Sequence, residues 1–542
     1  MPAERRGLTR SLAYGFRLAL GTVRRLGRLA VFGFEILVLS RLFERRGASA
    51  DAMTTTLLAA KDIERLPPEL EVTDSHGRSL ASWRHGFAGV NASLFLNLQT
   101  PNRLSDLRHA HPGPPFRGVY LWDSAFIAQV WKGWDPQVAW EVLAAVIRLR
   151  DGDRLQHFAS EYTRSKFTQP PLIAWSLVRL AREVPEARAR SWIAEAYPAL
   201  AAYKRWLDAH RRLSNGLYHW AHPYESGVEN APRFSTTDER RLEDIRTWAA
   251  PDLCSYMVLQ SEALAEMAAT LGRDAEAAAH GHEADRIRAL VNAHLWDPGE
   301  GLYFDLDTTR GRLVRSRTIA SLLPLWAGIP GAARAERMHG RIVDPQGFGT
   351  LIPLPSVALD DPDFERDMWR GPVWLNTAYG VVEGLRRAGW HETASDMAFR
   401  LADGVYRTYQ HHGHFYEFYD PTVHRIDALH RKRGNRWKKI TLGSGPVADF
   451  VGWTGLVNML VAEHLFGLQG RPGARALRPR FPRRAEGMRF TLLLAAEEGE
   501  VELRVGPEGR TRGELRMAWG TRPFEAAFGE PVLLAQEAEG SA

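Results

Sequence analysis

The sequence predicts a mainly α-helical toroid with a small β-rich C-terminal appendage. Three observations predict it. From about residue 135 to 467 the chain is a succession of helix-period apolar runs parted by clusters of Gly, Pro and Trp-Asp. The connections between these runs alternate short and long, as when paired helices close into a ring and the long loops gather at one end to carry a site. After Pro479 the period changes: 488–494, 500–505 and 513–519 alternate or run apolar between Gly-rich turns, which is the signature of strands.

Taken in order, residues 57–104 read as mixed text, strand-like or loop, with few long periodic runs. Asp135-Pro136 opens an amphipathic run to about Arg150, and Pro170-Pro171 opens another to about Arg182. Further helical runs cover about 186–211, 251–271, 274–295, 316–326, 332–342, 372–388, 391–409 and 447–467. No sequence repeat recurs among them, which excludes a consensus solenoid. The expected division is a basic arm over 1–50, the helical ring with its lead-in over 51–477, and the appendage over 478–542.

The chain has 542 residues, beyond the usual single-domain range, although closed barrels use several hundred residues as one unit. With 45% apolar and 25% charged residues, disorder is not the default. Many of the 18 Trp fall in short clusters with Gly, Pro and Asp rather than on periodic helical faces; Trp so placed often forms a flat wall for a sugar, but Trp also fills large helical cores. The single cysteine, Cys254, excludes an internal disulfide and fits a reducing, cytoplasmic compartment. Net charge is +6, but residues 1–50 hold ten Arg and three Glu, so the remainder carries −1. That distribution gives a nucleic-acid role no support.

Within the arm, 29–43 is mostly apolar, interrupted by Glu35 and Arg41 and flanked by Arg24, Arg25, Arg28, Arg45 and Arg46. A membrane-spanning helix needs about 20 apolar residues, so this stretch is too short and too interrupted. Ala48-Ser49-Ala50 resembles a signal-peptidase site, against which stand Glu35 in the apolar core and the Arg45-Arg46 pair. Two readings stay open: a basic amphipathic segment lying on an anionic membrane, at the inner face, or a helix packed on the body.

The candidate chemistry lies at loop-to-helix junctions of the array. In Phe415-Tyr416-Glu417-Phe418-Tyr419-Asp420-Pro421 a carboxylate sits among four rings, where lost hydration raises a carboxyl pKa unless a cation compensates. Arg117-Gly-Val-Tyr-Leu-Trp122-Asp123-Ser124 precedes an apolar helix, and Asp123 either caps that helix or holds two adjacent sugar hydroxyls. Gln169-Pro-Pro171 is a rigid turn with an exposed amide. Tyr224-Glu225-Ser-Gly-Val-Glu229-Asn230-Ala-Pro-Arg233 brings two acids four apart in a loop poorly suited to a core. Met368-Trp-Arg370-Gly371-Pro-Val-Trp374 joins rings to a guanidinium, and Phe450-Val-Gly-Trp453-Thr lies near the start of the last helix. Each alone reads equally well as a structural turn. Their common placement is what favours a site.

Together these stretches resemble the clan of inverting (α/α)6 glycosidases that contains trehalase and the processing α-glucosidase I, glycoside hydrolase families 37 and 63. The likeness is greatest to the bacterial family 63 enzymes acting on mannosylglycerate and glucosylglycerate. Tyr120-Leu-Trp-Asp-Ser124, Gln169-Pro-Pro-Leu172, Glu225-Ser-Gly227 through Asn230, Trp369-Arg-Gly-Pro-Val-Trp374, Tyr416-Glu-Phe-Tyr-Asp-Pro421 and Gly452-Trp-Thr454 carry it, in the family's order, over about 115–467. The resemblance implies an (α/α)6 barrel and inverting hydrolysis of an α-glycoside. In that mechanism one carboxylic acid protonates the leaving oxygen, and a carboxylate about 6.5–9.5 Å away activates water on the opposite face. Glu417 matches the family's general base. The family's general acid is the Asp of a Glu-Ser-Gly-x-Asp-Asn pattern, and Glu229 stands there instead, its proton about one methylene further out. Glu225 matches the pattern's first Glu, implied to shape the site. Trp374 and Trp453 would stack on the sugar; Asp123, Gln169 and Arg370 would hold hydroxyls, with Trp122, Asn230, Gly371 and Tyr419 completing the pocket.

No cofactor or metal is called for. His411, His412 and His414 read as a polar turn, because no second set of Cys or acid residues has ligand spacing around them. Residues 424–440 hold seven Lys or Arg against Asp427 alone. They read either as a solvated basic loop or as a cationic lip beside the base that attracts an anionic aglycone such as glycerate or a lipid head group. Two rival functions fit the same residues: a carbohydrate- or glycolipid-binding protein with a degenerate site, and a glycoside phosphorylase using the basic loop for phosphate. The oligomeric state is not legible.

Overall fold

The computed structural model describes residues 58–535 apart from 60, 64, 235–243, 434–439, 441, 472–473 and 495–498. The chain divides into two units, Met1–Glu64 and Arg65–Ala542. The basic arm expected over 1–50 lies outside the described residues, and the fold described is that of the second unit.

Strand β1 (Glu69–Thr73) leads into α1 (Ala81–Asn97), after which helices alternate between an inner and an outer layer. The inner segments are α2 (Leu121–Trp131), α4 (Ile173–Ala181), α6 (Pro251–Thr270), the 3-10 turns Ile319–Ser321 and Leu323–Leu325, α9 (Leu375–Arg387) and α11 (Leu456–Met459), which continues as a π-helical turn over Leu460–Leu465. Between them run α3 (Pro136–Arg148), α5 (Glu186–Arg211), α7 (Asp274–His294), α8 (Ala332–Val343) and α10 (His391–His412). The inner segments touch in chain order, and α11 returns to α2, closing the ring of an (α/α)6 barrel. Burial follows the layers. Every residue of α2 and α11 is buried, whereas α7 buries only Ala284, Ile287 and Val291, one stripe of an otherwise wet helix. Asp135 caps α3, accepting from the N–H groups of Gln137 (2.9 Å) and Val138 (3.2 Å), with Pro136 at the first helical position.

Four expectations are corrected. The stretch 57–104 contains α1, whose period of Trp83, Phe87, Val90 and Leu94 is obscured by Gly86, Gly89 and an N-terminus without a capping side chain. The run 316–326 is two 3-10 turns rather than a helix, because Pro324 lacks an N–H and its ring disrupts a preceding helical turn. The last helix starts at Leu456, not near 447: the Val451 and Gly452 N–H groups donate to Pro112 O (2.8 and 3.0 Å), which commits them to the neighbouring loop. His411 and His412 form the last turn of α10 instead of a loop.

Strands β2 (Arg489–Leu494), β3 (Gly499–Val505), β4 (Thr511–Met517) and β5 (Gly520–Ala526) follow the ring and form an antiparallel sheet in the order β1-β2-β3-β4-β5. Val72 lies opposite Phe490, and Leu70 opposite Leu492, so the sheet draws on both ends of this unit. Phe490 on its buried face meets the rings of Phe481, Trp83 and Phe466 at 4.6, 5.8 and 6.3 Å.

The C-terminal ends of the inner helices are tied by buried charge. Arg179 of α4 donates to Glu383 of α9 (3.1 Å), to Glu463 of the π turn (2.5 Å), to Tyr379 Oη (3.0 Å) and to Gln129 of α2 (3.1 Å). Lys132, just past α2, pairs with Glu463, and His464 bonds Glu383 (2.9 Å). Burial pushes the Glu463 carboxyl up, but Lys132 and Arg179 outweigh it and hold it down at about 2.

Ring closure depends on close contact at Gly384 of α9, where a Cβ would lie 2.6 Å from the Trp326 nitrogen and 2.7 Å from the Leu325 carbonyl carbon. Gly384→Ala should therefore lose about 1–3 kcal/mol of stability in urea unfolding. Gly340 of α8 has open space where its Cβ would be, so Gly340→Ala should gain about 0.5–1 kcal/mol in the same assay.

Candidate active site

The N-terminal ends of the same inner helices surround a cavity of about 520 Å³. Among the residues expected at the site, Trp122, Asp123, Gln169, Glu229, Trp374, Glu417 and Trp453 line it. A cavity of about 670 Å³ lies at the opposite ends of these helices, lined by apolar residues such as Trp175 and Trp326 and by arginines and acids bonded to each other, such as Arg288 and Arg387 with Glu262. We therefore place the site in the smaller cavity.

The Glu229 loop is fixed at both ends by buried ion pairs. Ahead of it, Arg211 from the end of α5 grips Glu225 with two bonds, Nε at 2.8 Å and Nη2 at 2.6 Å, and the Ala221 N–H adds a third at 3.1 Å. Behind it, Arg233 is buried between Asp252 and Asp305, bonding Asp305 at 3.1 Å. In the middle, Asn230 accepts from the Trp369 N–H (3.0 Å) and donates to Asp367 O (3.3 Å). Gly227 has a left-handed φ of +74°, and a Cβ there would enter the Trp122 ring, so only glycine lets the loop lie on that indole. Glu225 and Asn230 thus position the loop and do not line the cavity.

Glu417 is 3% exposed and comes from the segment joining α10 to α11. Its Oε2 accepts from the Val447 N–H (3.2 Å) and pairs with Arg431, while its carbonyl accepts from Trp453 Nε1 (2.8 Å). Tyr419 is fully buried, its hydroxyl accepting from the Tyr416 N–H (3.1 Å); it braces the segment behind the wall. Arg370 points away from the cavity to Glu365 (3.0 Å) and Asp363 (3.7 Å), and the Gly371 N–H donates to Ser356 Oγ (2.9 Å). The expected hydroxyl-binding role of Arg370 and the pocket place of Gly371 are therefore corrected: both belong to the support of the Trp369–Trp374 turn.

The stacking expected of Trp374 is corrected too. One face is covered by Trp369 at 3.8 Å and 9°, the other by Phe418 at 4.7 Å and 29°, leaving only an edge for the cavity. Trp453 packs among Phe450 (4.4 Å), Trp374 (5.5 Å) and Trp122 (5.7 Å). Gln169 Oε1 meets the Trp122 N–H at 3.4 Å, joining the starts of α2 and α4. Asp123, in the first turn of α2, is 3% exposed, and burial pushes its carboxyl up to about 8 against a hydrogen bond from its own backbone N–H.

Sequence reasoning missed the far wall. Phe116, Tyr120, Phe158 and Phe167 line it, with Arg164 and Lys166 supplying positive charge. They sit on strands of two residues or on turns, too short for any period to mark. Two cations of the basic stretch reach the acids: Arg431 pairs with Glu417, and Lys432 Nζ lies 3.5 Å from Glu229 Oε1 and 5.0 Å from the Tyr224 ring centre. Burial pushes the Arg431 guanidinium down to about 10, with Glu229 and Asp367 opposing. The excess of charge over 424–440 was the available signal, but not which residues turn inward. Among the described residues no group of three or more His, Cys, Asp or Glu is placed to hold a metal ion, and no helix is long and apolar enough to cross a membrane.

With this geometry in place, comparisons identify relatives. The mannosylglycerate hydrolase MGH1-like glycoside hydrolase domain matches residues 117–430. A mannosylglycerate hydrolase of Thermus thermophilus is 30% identical over 384 residues, covering 57% of this chain and 90% of the relative. A periplasmic trehalase of Pseudomonas aeruginosa is 29% identical over 258 residues, 46% of this chain and 42% of the trehalase. A crystal structure of a family 63 mannosylglycerate hydrolase, also from Thermus thermophilus and in complex with glucose, superposes with a TM-score of 0.56 at 25% identity, covering 68% of this chain and 98% of that one.

Asp123 gives a pH test. Its carboxyl titrates at about 8 in the fold and at about 3.9 in an unfolded chain. Between those values the folded protein keeps a proton that the unfolded chain has shed, so this group lowers stability progressively as pH rises. In Asp123→Asn the unfolding free energy relative to wild type should therefore grow by about 1.4 kcal/mol per pH unit from about pH 4 to pH 8. Urea unfolding of both proteins across that range checks it, and a difference that does not change with pH excludes the raised carboxyl.

Proposed function

The chain belongs to the mannosylglycerate hydrolase MGH1-like family of glycoside hydrolases, an inverting α-glycoside hydrolase group, and from that premise we propose that Glu417 is the general base and Glu229 the general acid. The observation that carries the assignment is that the two carboxylates share one cavity walled by Trp122, Trp369, Trp374 and Trp453, at the N-terminal ends of the inner helices. The roles follow from charge. Arg431 beside Glu417 favours its ionised form, which a base needs in order to take a proton from water as that water attacks the anomeric carbon. Glu229 delivers the proton to the departing glycosidic oxygen. A protonated Asp123 offers sugar hydroxyls one O–H donor and one acceptor oxygen, and the Gln169 side-chain amide adds two donors.

The substrate we propose is a small α-mannoside or α-glucoside with an anionic aglycone of the glycerate type. The relatives' names favour it, as do Arg164, Lys166 and Arg431 on the cavity lining and Lys432 beside Glu229. The aromatic far wall fits the apolar face of the sugar or the aglycone carbons.

Glu417→Gln and Glu229→Gln should each lower kcat on an α-mannosyl- or α-glucosylglycerate by about 10²–10⁴-fold, with the fold retained by circular dichroism. NMR of the wild-type reaction should show the β-anomer of the sugar released first. Retention of the α-anomer, or wild-type rates in both variants, would sink the assignment. A rate that requires inorganic phosphate would point to a phosphorylase instead.

A further inference from the structure

The two carboxylates are held by consecutive residues, Arg431 and Lys432, and the consequences for them are opposite. A cation next to a carboxylate favours the charged form. That suits Glu417, which acts ionised, and is wrong for Glu229, which acts protonated. In the unliganded molecule the Lys432 ammonium stands 3.5 Å from Glu229 Oε1, on the side of the charged carboxylate.

The backbone around this dipeptide is fastened. The Arg431 N–H donates to Ser444 O (2.9 Å), and the Arg433 N–H donates to the Asp367 carboxylate (2.7 Å). Lys432 itself has a left-handed φ of +47° and is buried. A loop movement would break these bonds, whereas the four-carbon side chain of Lys432 can turn on its own. The Tyr224 face lies 5.0 Å from its ammonium and offers a second seat. Among the described residues, the other titratable groups lining the cavity are Asp123, Glu417, Tyr120, Tyr224 and His157, with the cations Arg164, Lys166 and Arg431. Asp367 lies behind Arg431.

Building on the hydrolase reading above, we propose that Lys432 is a positioning residue for Glu229, a clamp released by substrate. An anionic group on the aglycone draws the Lys432 ammonium off Glu229. Glu229 then takes a proton from solvent and is ready to give it to the glycosidic oxygen. Lys432 keeps its own protons throughout. The anion of the substrate therefore acts on kcat as well as on binding, and a neutral glycoside leaves the acid clamped.

The test compares an α-glycosylglycerate with its uncharged methyl ester, with kcat and KM measured against pH for wild type, Lys432→Gln and Lys432→Arg. For wild type we expect kcat on the acid to exceed that on the ester about tenfold at neutral pH, the equivalent of one pKa unit. In Lys432→Gln the alkaline limb of the ester profile should move up by about one pH unit, its kcat should rise toward that of the acid, and KM for the acid should increase. Lys432→Arg should keep the wild-type profile. Equal kcat for acid and ester in wild type, or an ester profile that Lys432→Gln leaves in place, overturns the clamp. Glu229→Gln, run on the acid, separates the two readings. If it is inactive while the Lys432→Gln profile is unmoved, only the clamp fails; if it keeps the wild-type rate, the assignment of Glu229 as the acid fails and the clamp with it.

Discussion

The Arg179 guanidinium is the contact on which the ring depends. It bonds α2, α4, α9 and the π turn after α11 at once, through Gln129, Glu383, Tyr379 and Glu463. A buried cation of this kind adds little over an apolar core when complete, but losing one partner strands the others, at a cost of about 3–5 kcal/mol. Its effect is therefore on arrangement more than on stability. It sets the axial position of four inner helices from their C-terminal ends. Their N-terminal ends, where Trp122, Gln169, Trp374 and Trp453 stand, are consequently held at matched heights around the cavity.

At that end the loops repeat the device on a smaller scale. The Glu229 loop is anchored by Glu225 on Arg211 and by Arg233 on Asp252 and Asp305, and tied at Asn230. The Glu417 segment is joined to the Trp369–Trp374 turn by the exchange of backbone bonds between Val373 and Tyr419, at 2.8 and 2.9 Å. Fixing a carboxylate in place requires that its neighbours spend their own polar groups on each other. This is why so many residues of the motifs face away from the cavity.

The same fact explains what was legible in the sequence. The ring was readable because inner and outer helices carry the 3.6 period and are punctuated by Pro and Gly. The loops around the cavity were readable from their Trp, acid and Gly content, and Glu417 and Glu229, which line it, stand in two of them. A motif identifies a loop, however, not which side of it each residue takes. Arg370 and Tyr419 sit beside cavity residues in the chain and face the opposite way. Trp374 was placed at the cavity, but the covering of both its faces depends on Trp369 and on Phe418, which arrives from another loop. The late start of α11 escaped because bonds from Val451 and Gly452 to a distant loop, not local period, decide it, and the run over 316–326 is broken locally by Pro324.

The glutamate at 229 and the lysine at 432 are best understood together. The resemblance implies Asp at this position, and relative to it the Glu229 carboxylate is carried further from the backbone by one carbon–carbon bond, about 1.5 Å. Lys432 lies 3.5 Å from the Glu229 oxygen. With the backbone in place, an aspartate would withdraw its carboxylate to about 5 Å, beyond a direct ion pair though still within Coulombic reach. The longer side chain is therefore what brings the acid into contact with the cation. A glutamate here thus makes a specific contact with Lys432, and on the clamp proposed above that contact ties the state of Glu229 to the charge of what enters.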